Sequence, residues 1–234
     1  MKQKRSWREG AWQRSAWARV EAAGKRLDGK EGETGQRYLR ERGLEPDTWR
    51  AWRLGYVPVV HGRKRIKGQW WDVGLGAAIA LPWIDGDKLM ALQYRLIEHE
   101  ALRYWQKAGG TRTLFGLHLV EGRSVLVACE GELNAVSIWQ AARDWADVVS
   151  FGPQGNLQRA LQHLGPLADR YEKVLVWADE AAWALAAAGK LGDRAVALRS
   201  PMGMDANDML VVGVLGEFLQ SFRVSEFQSI GMSE

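Results

Sequence analysis

The sequence predicts an α/β protein, a parallel sheet with flanking helices preceded by a small basic α+β subdomain, and three observations predict it. After residue 123, four short apolar runs at 124–129, 147–151, 174–178 and 195–198 alternate with helical stretches near 132–142, 156–164, 181–191 and 206–220. Continuous apolar strands separated by helices indicate a parallel sheet buried on both faces. Between 77 and 105 the period is two: Met90, Leu92, Tyr94 and Leu96 alternate with Ala91, Gln93 and Arg95, the pattern of a half-buried antiparallel strand. Charge also divides the chain. Residues 1–123 carry 24 Lys+Arg against 14 Asp+Glu, a net +10, and residues 124–234 carry 8 against 14, a net −6.

The elements follow in order. An amphipathic helix is expected over 6–27, where Trp7, Trp12, Trp17 and Val20 interleave with Arg8, Arg14, Arg19 and Lys25. A Gly/Glu-rich loop over 29–35 precedes helices at 36–42 and 46–53; Gly43 ends the first and Pro46 starts the second, where its missing N–H costs nothing. The run Arg63-Lys64-Arg65-Ile66-Lys67-Gly68 reads as a loop or hairpin tip, and Asp85-Gly86 as the turn between two strands. The expected organisation is a helical extension (1–35), a basic α+β subdomain (36–123), the parallel-sheet domain (124–220) and a tail (221–234). The helix at 6–27 could dock on the core, on a partner or on DNA.

Composition narrows the classes. With 234 residues and 47% apolar content the chain can bury a large core. It has no run of ~18 apolar residues and no signal-peptide pattern, so a cytoplasmic protein with no membrane partner is expected. The single cysteine, Cys129, excludes an intrachain disulfide and an all-cysteine zinc cluster. His61, His99, His118 and His163 lack metal-ligand spacing and read as structural.

Acid positions point to the chemistry. In open parallel sheets, ligands bind beyond the carboxyl ends of the strands. Glu130 follows the first strand of the C-terminal half, Asp179 the third, and Asp205 and Asp208 lie in the turn and first helical residues after the fourth. Taken singly, Asp179, Asp205 or Asp208 could simply cap the next helix. Three strands delivering acid to the same edge instead indicate a site for a hard, oxygen-preferring cation, Mg²⁺ or Mn²⁺.

These residues carry a resemblance. Val-Leu-Val-Ala-Cys-Glu130-Gly131 resembles the first motif of the Toprim domain, a strand ending in Glu-Gly, and Val-Leu-Val-Trp-Ala-Asp179-Glu180-Ala181 its second, a strand ending in Asp-x-Asp. Met204-Asp205-Ala-Asn-Asp208-Met-Leu is similar to the segment that follows in primase-type members, and the Gly152-Pro-Gln-Gly155 loop sits where these proteins place a small-residue turn. Upstream, Arg37-Tyr-Leu-Arg-Glu-Arg-Gly43-Leu, Leu54-Gly55-Tyr56-Val-Pro58, Gln93-Tyr-Arg95 and Leu114-Phe115-Gly116-Leu resemble the core of bacterial-type, DnaG-like primases. The match runs over about 36–212. It implies a Toprim fold, divalent metal held by Glu130, Asp179, Asp205 and Asp208, and synthesis of RNA primers from NTPs on single-stranded DNA. Glu130 and Asp179 would be the catalytic pair, and Lys67, Arg95 and Lys107 would face nucleotide or template.

Three departures bear on this expectation. Ala181 stands where the second acid of Asp-x-Asp belongs, unless Glu180 substitutes or the match slides to put Asp179 second and Trp177 first. Asn134 stands where primases more often have Asp. One cysteine cannot build the family's zinc module, and the helicase-docking domain is absent or reduced to the tail. A pared-down core of the kind carried by phages, plasmids and mobile elements is therefore expected, with a helicase or a separate zinc-binding protein of the same element as partner. Thirteen Trp among many cations suit single-strand binding, with bases on rings and Arg63, Lys64, Arg65 and Lys67 on phosphates. Trp70, Trp71 and Trp105 are the aromatic candidates, while most Trp are expected in the core. Three functions stay open: an active primase-like nucleotidyltransferase, a weakened or partner-dependent single-strand-binding module, and a Toprim nuclease, which the upstream half disfavours.

Overall fold

Both sheets form, and each has the sense its sequence period implies. The structure is a computed structural model that describes residues 2–66, 69–98, 104–106, 110–111, 113–152 and 157–223. Helix α1 (Lys2–Asp28) leads into α2 (Glu33–Glu41) and α3 (Pro46–Ala51). The region expected as a loop at 29–35 is shorter than that. A 3₁₀ turn at Lys30–Gly32 runs directly into α2, since Gly35 and Leu39 face the core and extend the buried stripe.

Strands β1 (Gly55–Val57), β4 (Ala78–Asp85), β5 (Lys88–Leu96) and β6 (Tyr104–Gln106) make an antiparallel sheet in the order β1-β4-β5-β6. A hairpin of β2 (His61–Ile66) and β3 (Gln69–Gly74) projects from it. The basic run is thus one strand of a hairpin, whose tip at 67–68 lies outside the described residues. Helix α1 docks on the core: Ala16, Val20, Ala23 and Leu27 are buried, packed with Ala78, Ala80 and Leu92 or the neighbouring cluster. Small residues on one stripe let the helix approach the sheet closely.

The C-terminal half is a four-stranded parallel sheet of β7 (Val125–Glu130), β8 (Ala146–Gly152), β9 (Lys173–Trp177) and β10 (Ala195–Leu198), ordered β10-β9-β7-β8. Helices α4 (Glu132–Ala142), α5 (Leu157–Ala168) and α6 (Ala181–Leu191) connect the strands. Helix α5 passes through Gly165-Pro166 rather than stopping before it, because Leu167 and Ala168 complete its buried face. The last predicted helix is two, α7 (Ala206–Val211) and α8 (Leu215–Arg223). Gly213, at φ +79°, turns the chain between them while Val214 N–H donates to the Met209 carbonyl at 3.0 Å.

One apolar core passes between the sheets. Trp52, Trp83 and Phe115 are fully buried and meet as rings, Trp52 to Phe115 at 4.8 Å and Trp83 to Phe115 at 5.7 Å. Gly116 is required beside them: at φ +97° it is left-handed, and a Cβ there would sit 2.8 Å from both the Trp52 ring and the Val148 carbonyl. Among the described residues, no helix is long and apolar enough to cross a membrane.

Candidate functional site

Strand order creates the site. β7, β9 and β10 are consecutive neighbours, so Glu130, Asp179, Asp205 and Asp208 all reach the same carboxyl edge. Glu130 is the last residue of β7, and Gly131, at φ +77°, turns the chain sharply into α4. The four acids line one cleft of about 290 Å³ together with Asn134, Glu132, Arg42, Arg95 and Tyr104. Asp179, Asp205 and Asp208 also border an adjoining cavity of about 550 Å³, whose wall includes Ala181, Arg199 and Ser200.

The carboxylates are close but do not converge. Asp179 N–H donates to Glu130 Oε2 at 3.1 Å. Asp205 and Asp208 form a capping box on α7: Asp208 N–H donates to Asp205 Oδ1 at 2.8 Å, and Asp205 N–H to Asp208 Oδ2 at 3.4 Å. Among the described residues, no three His, Cys, Asp or Glu side chains are gathered to hold a metal ion. Two of the four acids expected to hold the cation, Asp205 and Asp208, are turned back onto the terminus of α7. The donor set still fits a hard cation in kind. Every acid donor in the cleft is oxygen, and burial, followed by the negative charge of Asp205, pushes the Asp179 carboxyl above its ordinary value. A cation between them would relieve that repulsion.

Cationic groups line another part of the cleft. Arg95, on β5, donates from Nε to the Tyr38 hydroxyl at 3.2 Å and lies 4.9 Å from the Tyr104 ring. Burial, and then the charge of Glu132, pushes the Tyr104 hydroxyl up to about 12. Arg42 lies over the Tyr38 ring at 4.9 Å and donates to Asn207 Oδ1 at 2.8 Å. The sequence reading missed Arg42, Glu132 and Asn207 as site residues. Arg42 and Asn207 lie within the motifs given above, but only the packing shows that Arg42 joins the acids in the cleft and that Asn207 is buried against it.

Other expected residues sit elsewhere. Glu180 is the exposed N-cap of α6 and its side chain makes no capping hydrogen bond; Ala181, not Glu180, borders the adjoining cavity. Arg63 is exposed beside Asp72 at 3.5 Å and lines a separate cavity of about 690 Å³ with Trp105, Tyr94 and Arg19. Lys64 and Arg65 lie on β2, away from the acid cleft in the chain's path, and their side chains are outside what is described, as are those of Trp70 and Trp71. Lys67 and Lys107 lie outside the described residues.

No family model matches the chain, and no curated protein sequence matches it significantly. Solved structures do. The RNA polymerase domain of Mycobacterium tuberculosis primase DnaG, in complex with a double-stranded DNA oligomer carrying a 6-nucleotide overhang, superposes with a TM-score of 0.67 at 15% identity, covering 91% of this chain and 79% of that one. The chain has the fold of a DnaG-type primase catalytic core. A DnaG primase catalytic domain bound to single-stranded DNA gives a TM-score of 0.64 at 14% identity, with 91% and 80% coverage. The primase fragment of the bacteriophage T7 primase-helicase protein gives 0.58 at 17%, with 79% and 73% coverage. In this primase-core fold, the acid cleft lies between the antiparallel and parallel sheets, with Arg42 and Arg95 supplied from the upstream half.

Proposed function

We propose that the chain is a primase-type nucleotidyltransferase that joins ribonucleotides on a single-stranded DNA template with Mg²⁺ or Mn²⁺. The observation that carries this reading is the cleft, lined by five carboxylates, those of Glu130, Asp179, Asp205, Asp208 and Glu132, together with the guanidinium groups of Arg42 and Arg95, in a primase-core fold. Glu130, Asp179, Asp205 and Asp208 would hold the cation. When bound, it offsets charge developing on the transferred phosphoryl group. Arg95 and Arg42 would meet nucleotide or template phosphates, and Glu130 would hold the metal or take the proton of the primer hydroxyl. Arg63, Lys64, Arg65, Lys67 and Lys107 would extend the cationic track for template. A helicase or a zinc-binding protein of the same phage, plasmid or mobile element would complete initiation.

A second reading is favoured by particular residues. Ala181 and Asn134 bring no carboxylate where the family resemblance calls for one, and Asp205 and Asp208 are engaged in a cap. This supports a weakened or partner-dependent single-strand-binding module. One assay separates the two: the full chain with a single-stranded template, NTPs and Mg²⁺ or Mn²⁺, beside Glu130→Gln. Template-dependent oligonucleotides that vanish in the variant support the polymerase. Salt-sensitive binding without product in either metal supports the binding module, and degradation of the strand would point to a nuclease.

A further inference from the structure

Behind the cleft, between Asp205 and Asp208 in sequence, Asn207 has a dense set of directional contacts, and none of them is explained by helix formation alone. It is only 4% exposed. Its Nδ2 donates to the Arg42 carbonyl at 2.8 Å and to Ser137 Oγ at 2.9 Å. Its Oδ1 accepts from Arg42 Nη1 at 2.8 Å, and its backbone N–H donates to Asn134 Oδ1 at 3.2 Å. Three separate elements therefore meet on one residue: the end of α2 through Arg42, helix α4 through Ser137 on the side chain and Asn134 on the backbone, and the first turn of α7.

We propose that Asn207 is the positioning residue of the cleft, its buried amide registering the turn that carries Asp205 and Asp208 against Arg42. Helix α7 has six residues, and Ala206 and Met209 bury its apolar side. Apolar burial is non-directional and leaves a short helix free to rotate or slide. The Asp205–Asp208 capping box is closed within α7 and its N-cap, so it shapes the turn without tying it to the rest of the molecule. Hydrogen bonds from Asn207 to α2 and α4 supply the missing restraint, and they do so on the residue immediately between the two acids. The same amide receives the Arg42 guanidinium, whose other contact is the Tyr38 ring at 4.9 Å. A shift of α7 therefore moves the acids and the arginine together. Side chains that bind a reacting group must be held to about 0.5 Å by such supporting bonds.

The assignment deepens the proposed function, since its consequence for cations rests on that reading; its consequence for backbone order does not. The test compares the full-length chain with Asn207→Ala and with Leu164→Ala, a cavity variant in α5 on the other side of the parallel sheet. Hydrogen–deuterium exchange and Mn²⁺ binding by electron paramagnetic resonance are read on all three. In Asn207→Ala, exchange at 205–211 is expected to rise about 10-fold while peptides from β7 and β9 hold their protection, the loss that follows from unpairing buried polar groups. Mn²⁺ affinity is expected to fall about 10-fold, as for other residues that orient metal ligands. Leu164→Ala should lower the melting temperature without either local effect. If Asn207→Ala does not fold, Ser137→Ala removes one acceptor only and should raise the same exchange about 3-fold. Exchange at 205–211 that changes no more than in Leu164→Ala overturns the assignment. Wild-type chain that binds no Mn²⁺ overturns the metal reading instead, and the exchange arm still decides the role of Asn207.

Discussion

Gln93 Nε2 donates to Glu132 Oε1 at 2.9 Å, and both residues are 1% exposed. Gln93 belongs to β5 of the antiparallel sheet and Glu132 opens α4 of the parallel one, so a buried polar contact joins the two halves directly beneath the acid cleft. A charged acceptor in so dry a place strengthens the bond and raises the cost of breaking it.

Glu132→Ala leaves the Gln93 amide buried without that acceptor. The expected cost is about 2–4 kcal/mol, which lowers the melting temperature by roughly 5–15 °C in a chain of this size. Glu132→Gln keeps an acceptor in place and should cost less than half as much. Thermal unfolding followed by circular dichroism checks both; equal losses for the two variants would mean that the charge, not the hydrogen bond, is what the position needs.

Asp147 ties down the junction between the halves. Its carboxylate accepts from the N–H groups of Glu121, Gly122 and Arg123 at 2.9, 2.8 and 3.0 Å, and from the Tyr171 hydroxyl at 2.8 Å. Burial, and next the hydrogen bond to Asp147, raises the Tyr171 hydroxyl. Asp147→Ala strands four donors and should cost about 3 kcal/mol or more, Tyr171→Phe about 1–2 kcal/mol. Because the two share one bond, their double variant should lose less than the sum, as denaturant titration would show.

Asp179 sets a pH dependence. Its folded-state carboxyl is raised by burial and by Asp205, so the folded chain holds that proton more tightly than the unfolded chain does. Its contribution to stability is therefore present at low pH and is lost as pH rises through the raised folded value. Asp179→Asn removes the penalty and should raise the melting temperature at pH 7, within about 4 °C because exposed charges interact by about 1 kcal/mol or less. The gain should shrink toward acid. An Asp179→Asn chain less stable than wild type at pH 7 would contradict the like-charge account.

Arg95 is the test of the cationic part of the cleft. Under the proposed function it meets a phosphate, so Arg95→Ala should weaken single-strand binding about 3–10-fold at 0.1 M salt and reduce the slope of log affinity against log salt by about 1. Fluorescence anisotropy across a salt series reads both numbers. An unchanged slope would leave Arg95 as a packing residue between Tyr38 and Tyr104.

How much was legible in the sequence follows from the range of each signal. Strand 124–129 and helix 132–142 were readable because burial on both faces, and then a turn at Gly131, leave their pattern within a dozen residues. The acids at strand ends were readable for the same reason, since each lies next to the apolar run that positions it. The break of α7 from α8 was missed because Gly213 sits inside an otherwise helical apolar pattern, and left-handed backbone at a glycine has no side-chain period. Docking of α1 was undecidable because Ala16 and Ala23 share the buried stripe with partly buried Trp12 and Trp17, and alanine fits a buried stripe and a solvent face equally well in sequence.

The sequence by itself determined the two sheet types, the division of charge and the four carboxylates at strand ends, all of them set by local periodicity and turn chemistry. Tertiary structure alone decided that β7, β9 and β10 are neighbours, which brings those ends together, that Arg42 and Glu132 complete the cleft, and that Asn207 is buried behind it against Arg42. It also decided that Asp205 and Asp208 turn inward as a capping box rather than forming a converged metal cage. The physical reason is that strand order and contacts such as Arg42 with Asn207, 165 residues apart in sequence, arise from packing of the whole chain and leave no mark on any short window.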